Sequence, residues 1–128
     1  MRVTDPDAIR AVLKAHGGFG ECLLRELRLV RFGLSLELTF DCVAGPNDQS
    51  ESVTLVLDLL HELHLTAAIP QGLLEEPDQV DWGLSEVALV ELAAGTEAPD
   101  QDPPRHRLRV LWEDDRKIEA VFSALEVP

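Results

Sequence analysis

The sequence predicts a mainly β chain of the α+β class: a short N-terminal helix followed by six to seven mostly antiparallel strands, folded into a curled sheet or a sandwich. Three observations predict it. Apolar residues recur at helical spacing in the first sixteen residues. After residue 23 the dominant pattern is alternation of apolar and polar residues, the signature of strands with one buried and one wet face. Short stretches rich in Gly, Pro, Asn and Asp separate these runs at hairpin spacing, without the long helical inserts of β–α–β units. At 128 residues the chain fits one domain, 1–128, with no internal repeat or boundary. With 45% apolar residues, four Phe, two Trp and no Tyr, its core is expected to be aliphatic and leucine-rich.

The helix comes first. Thr4 or Asp5 can cap it, Pro6 suits the first turn, and Asp7 favours the positive end of the dipole. Ile9, Val12, Leu13 and His16 share one face, Arg10 and Lys14 lie on the polar side, and Gly17-Gly18 stops the helix. A strand follows over about 23–32, with Leu27 and Leu29 on one face and Leu24, Val30 and Phe32 on the other. Gly33 turns the chain into the clearest strand, where Leu34, Leu36, Leu38, Phe40 and Cys42 alternate with Ser35, Glu37, Thr39 and Asp41.

A polar loop over 44–51 leads to renewed alternation at Val53, Leu55, Leu57 and Leu59. Residues 59–65 fit either a helical turn or a strand continuing after a bulge. The β pattern beside them favours the bulged strand. Residues 70–83 read as a loop, 84–92 as a strand, and 94–104 as an acidic, proline-rich loop with little to bury. The chain ends in a hairpin. Leu108, Val110 and Trp112 share a parity with Ile118, Ala120, Phe122 and Ala124, which demands an odd-length loop. The expected loop is 114–116, with Trp112 opposite Ile118 and Val110 opposite Ala120.

Charge is the strongest functional signal. Residues 33–104 hold fifteen Asp and Glu and no Lys or Arg, a local charge of about −15, while the flanks carry eleven bases against nine acids. Such a field repels nucleic acid and anionic membrane and attracts a basic protein. The near absence of aromatics also argues against a base-stacking surface. Met1 to Pro6 include no apolar leader, and no apolar run reaches membrane-spanning length, so a soluble cytoplasmic protein is expected.

The motifs that suggest chemistry are weak. His61-Glu62-Leu63-His64 is one residue short of a zinc-protease signature, and on a strand its two histidines point to opposite faces, so no metal or other cofactor is expected. Cys22 and Cys42 read as two reduced, buried thiols, with a single bridge as the alternative. Asp114 and Asp115 sit at a hairpin tip as turn residues. Arg105, Arg107 and Arg109, like Arg25, Arg28 and Arg31, are expected to pair with carboxylates on neighbouring strands or simply to keep the sheet face wet. Gly17-Gly18-Phe19-Gly20 lacks the strand–helix frame of a phosphate cradle. Glu75, Glu76, Asp78 and Asp81 cluster beside Trp82 and Leu73-Leu74, an anchor ringed by carboxylates, and Asp100 and Asp102 extend the acidic surface. These residues are the candidate partner-binding set, and no catalytic residue is nominated.

Over about 19–69 the layout resembles small bacterial immunity-type proteins of polymorphic toxin systems. The parts that carry the resemblance are Phe19-Gly20-Glu21-Cys22-Leu23, the strand from Leu27 to Val30, the alternating strand from Leu34 to Phe40, and the run from Val53 to Leu65. Those families often place a His-Asp pair after the aromatic residue, where this chain has Gly20-Glu21, and no functional residue is carried over. The resemblance implies a non-enzymatic antitoxin-type inhibitor of a basic protein partner, a toxin, whose phosphate-binding surface an acidic protein would engage by mimicking the phosphate field. The alternative is a structural or assembly adaptor that forms a homo-oligomer through sheet edges or a sheet face. A small-ligand or enzyme domain has least support, and general acidity from a salt-adapted or high-GC host would give the same charge without a partner.

Overall fold

The structure, a computed structural model, describes residues 1–44, 49–66, 86–93, 104–113 and 115–128. Its elements in chain order are β1 (Arg2–Val3), α1 (Pro6–Ala15), β2 (Leu23–Val30), β3 (Ser35–Ala44), β4 (Gln49–Asp58), β5 (Glu62–Thr66), β6 (Leu89–Leu92), β7 (His106–Leu111), β8 (Lys117–Phe122) and β9 (Ala124–Glu126). They form two antiparallel sheets, one of five strands in the order β1-β9-β4-β3-β2 and one of four in the order β5-β8-β7-β6. The mainly β class with one short N-terminal helix is as the alternation predicts. Two strands have no counterpart in the periodic reading: β1, which precedes the helix, and β9, which follows the last hairpin. Two and three residues are too short for a period to show.

α1 begins where its capping chemistry says it should. Asp5 accepts the Ala8 N–H at 3.1 Å, Pro6 occupies the first turn, and Ile9, Val12 and Leu13 are buried. Gly17 and Gly18 then take positive φ. A side chain at Gly18 would also meet the Leu89 side chain at 2.8 Å. Phe19 closes this corner, fully buried and 4.5 Å from the ring of Phe40.

β2 contains a bulge that the sequence pattern conceals. From Val30 opposite Ser35 back to Glu26 opposite Thr39 the register is constant, and it shifts by one between Leu24 and Glu26. The extra residue flips the parity, so Leu24 is buried with Phe40 while Leu27 pairs with buried Leu38. The same shift sets Cys22 beyond Leu23 and Asp41 directly across from Cys42. The two are joined in a disulfide with Cα atoms 4.5 Å apart. The expectation of reduced thiols is therefore corrected: without the bulge, Cys22 would stand opposite Val43.

Two further expectations are adjusted. The β3–β4 ladder runs unbroken from Ser35–Asp58 to Ala44–Gln49, so the strands extend into the segment read as a polar loop. In the last hairpin the shared parity is right but the register is two residues off. Val110 faces Ile118, Leu108 faces Ala120, and Leu111 rather than Glu113 faces Lys117. The Trp112 N–H bonds the Arg116 carbonyl at 3.3 Å, closing a loop with two more residues than charge pairing at its tip suggests.

The chain changes sheets at two adjacent corners. Leu59 does not continue the alternation: it is exposed, with φ of 56°. Leu60 N–H then bonds the Leu34 carbonyl at 2.9 Å and His61 N–H the Val121 carbonyl at 2.7 Å, starting β5 in the second sheet. This is the interrupted strand preferred over a helix at 59–65. The return passes through Ser123, whose N–H bonds the Asp58 carbonyl at 3.1 Å, into β9 beside β4. Between the sheets lie Leu36, Leu38, Phe40, Leu55 and Leu57 on one side and Leu108, Val110, Ile118, Ala120 and Phe122 on the other. Three of the four phenylalanines are fully buried, and Trp112 joins them in a core that is otherwise mostly aliphatic.

Candidate interaction surface

Five cations, Arg2, Arg25, Arg31, Arg107 and Arg109, reach carboxylates on another strand. On the outer face of the second sheet, His64, Glu119, Arg109 and Glu91 form one row across β5, β8, β7 and β6. Arg107 reaches Glu119 at 2.9 Å and Glu62 at 3.6 Å, Lys117 reaches Glu119 at 3.0 Å, and Arg109 lies 3.8 Å from Glu91. Hydrogen bonds from Lys117 and then Arg107 hold the Glu119 carboxyl below its ordinary range, against the opposing effect of its burial. The expected pairing of Arg107 and Arg109 with adjacent strands is what this face contains.

The first sheet has its own polar knot. Asp58, at the end of β4, accepts bonds from the buried Ser35 hydroxyl, from Arg2 of β1 and from Arg31 of the β2–β3 turn. The Ser35 hydrogen bond, followed by Arg2, lowers the Asp58 pKa although burial opposes it. Farther along, Arg25 lies 3.7 Å from Asp41 and Arg28 lies 3.5 Å from Glu26.

Three carboxylates without an ion pair among the described residues meet at the seam between the sheets. Glu21 N–H bonds the Val87 carbonyl at 2.8 Å, Val87 N–H bonds the Cys22 carbonyl at 2.7 Å, and Leu23 bridges to Glu86. Ala88 N–H bonds the Leu111 carbonyl at 2.8 Å. Residues 86–88 are thus stitched between the start of β2 and the end of β7. A cleft of about 450 Å³ results, lined by Gly20, Glu21, Glu86, Val87, Ala88 and Glu113. Its three carboxylates are exposed and have no ion-pair partner among the described residues. Glu21 is held at φ of 68°, outside the usual range for a non-glycine residue. Such a cleft can seat a Lys or Arg side chain through charge-assisted hydrogen bonds.

A second concavity of about 360 Å³ lies between α1 and β6, floored by Leu13 and residues 89–92 with Arg10 and Lys14 at its rim. No group of His, Cys, Asp and Glu suited to a metal ion occurs among the described residues. His64 is 3.9 Å from Glu62, while His61 lies 3.4 Å from the Ser123 hydroxyl at the sheet corner. Loss of water, and then the Arg105 charge, lower the His61 pKa despite the opposing charge of Glu62.

The nominated residues Glu75, Glu76, Asp78, Asp81, Trp82, Asp100 and Asp102, with the loops at 70–83 and 94–104 and with Asp114, lie outside the described residues. Glu86, in the cleft, follows the first of these segments in the chain. Glu21, Glu86 and Glu113 escaped the sequence reading because nothing local joins them. Only the general excess of acid pointed to such a surface. No protein-family model, curated protein or solved structure matches the chain. No helix among the described residues is long and apolar enough to cross a membrane.

Proposed function

We propose that this chain is a non-enzymatic acidic binding protein, an immunity or antitoxin-type inhibitor that docks a basic protein partner on its acidic seam. The observation that supports it most is the base-free interval 33–104 with its fifteen carboxylates. The arrangement of charges adds to it: Arg2, Arg31, Arg107, Arg109 and Lys117 each reach a carboxylate, while Glu21, Glu86 and Glu113 line an open cleft. Carboxylates around a concavity complement a phosphate-binding surface and steer association with it. Glu75, Glu76, Asp78, Asp81, Trp82, Asp100 and Asp102 stay in the proposed partner-binding set on the charge and composition of the sequence alone.

An inhibitor of an intracellular toxin would work in the cytoplasm, where a standing disulfide is uncommon. Trapping the thiols of protein drawn directly from its host measures this. Two alkylated cysteines place it in a reducing compartment, and none places it in an oxidising one.

The binding test uses a lysine-rich peptide as probe and the variant E21Q/E86Q/E113Q. Titration should show affinity for the native protein that falls as salt rises, and a loss of about tenfold in the variant, consistent with removal of three charge-assisted contacts in a solvent-accessible cleft. Equal binding by both proteins would remove the cleft from the reading.

A further inference from the structure

We propose that β2 is a self-association edge, through which two copies of the chain pair antiparallel about a two-fold axis centred on Leu27. β2 closes one side of the five-stranded sheet, and among the described residues its outer edge is bridged only at Leu23, by Glu86. The Cys22–Cys42 pair, at 4.5 Å, has the close spacing of a non-hydrogen-bonded pair. Alternation from there, through the bulge opposite Thr39, turns the N–H and C=O groups of Leu27 and Leu29 away from β3 and toward the outer edge, where no described residue bonds them. An edge with outward-facing backbone groups is a template for another strand.

The side chains select the occupant and the register. With Leu27 opposite Leu27 of a second copy, Glu26 faces Arg28 and Arg28 faces Glu26, giving two identical opposite-charge pairs on the outer face. Moving the centre toward either end sets Glu26 against Glu26 or Arg28 against Arg28, which is repulsive. Both side chains are about half exposed and reach each other only along their own strand, at 3.5 Å. On the inner face Leu29 is 56% exposed although its neighbour Leu36 is fully buried, apolar surface beside this edge that a second copy would cover. The reciprocity of the Glu26 and Arg28 pairs is what an isologous contact requires.

Sedimentation of the full chain from micromolar to near-millimolar concentration, at physiological salt, tests the assignment in four proteins. The native chain should pass from monomer to dimer. Glu26→Arg and Arg28→Glu should each weaken dimerisation about tenfold or more, because each turns both pairs into like charges. The double exchange E26R/R28E, which leaves net charge unchanged, should restore the native constant. A native chain that stays monomeric throughout, a single reversal that dimerises as the native chain does, or a double exchange that remains monomeric would each overturn it. None of these outcomes depends on binding to a basic partner, since Glu26 and Arg28 lie outside the acidic cleft.

Discussion

At the scale of single residues, Asp58 concentrates several polar contacts on one carboxylate. Its carboxylate joins Ser35, Arg2 and Arg31, tying β1 and the β2–β3 turn to the end of β4, and it is itself buried. Asp58→Asn leaves the facing cations and the Ser35 hydroxyl poorly matched, so urea unfolding at neutral pH should show a loss of about 2–3 kcal/mol. Because the native pKa is lowered, this contribution is fully present above the unfolded carboxyl value of about 3.9 and vanishes as pH falls through the lower native value. The gap between native and D58N proteins should therefore close below about pH 4. Gly18 supplies a second case. With φ of 67° and Leu89 2.8 Å from where a Cβ would stand, Gly18→Ala should cost about 1–2 kcal/mol in the same assay. The Gly17-Gly18 stop is legible in the sequence from helix-ending chemistry alone. Asp58 is not: its partners lie 23, 27 and 56 positions away, and no local pattern brings them together.

At the scale of elements, periodicity revealed most strands because each buries one face. Leu36, Leu38 and Phe40, and Leu55 with Leu57, are buried as alternation requires. It failed where one residue breaks the period. The β2 bulge sets Leu24 and Leu27, three positions apart, on the same side, so neither face of that strand read as cleanly apolar. The bulge also decides the cysteine chemistry, which depends on a one-residue register that composition does not encode. Closing a loop with a sequence separation of 20, the bridge should contribute about 3 kcal/mol through the entropy of the unfolded chain. C22A/C42A should unfold at correspondingly lower denaturant, and alkylation of the purified, unfolded native protein without reductant should find no free thiol. Two free thiols would contradict the pairing. The last hairpin repeats the lesson: parity fixed which side chains share a face, but loop length fixed the register. That length follows from the Trp112–Arg116 closure rather than from pairing Glu113 with Lys117.

At the scale of the whole molecule, the question is what a domain of net charge −13 does with its few bases. Many are committed to ion pairs on the two sheets, which leaves the uncompensated acid to dominate the long-range field. The excess was legible from the sequence, as was the cross-strand pairing of Arg107 and Arg109, whereas Arg28 pairs with Glu26 along its own strand. The cleft formed by Glu21, Glu86 and Glu113 was not, because it exists only once the 86–88 segment is stitched between β2 and β7. The most direct test of the acidic-binder account is affinity capture from the native host at low and moderate salt, read by mass spectrometry. The account predicts one basic protein, recovered at low salt, lost as salt rises, and toxic when expressed without this chain. Recovery of no basic protein, or of one whose binding ignores salt, would contradict it.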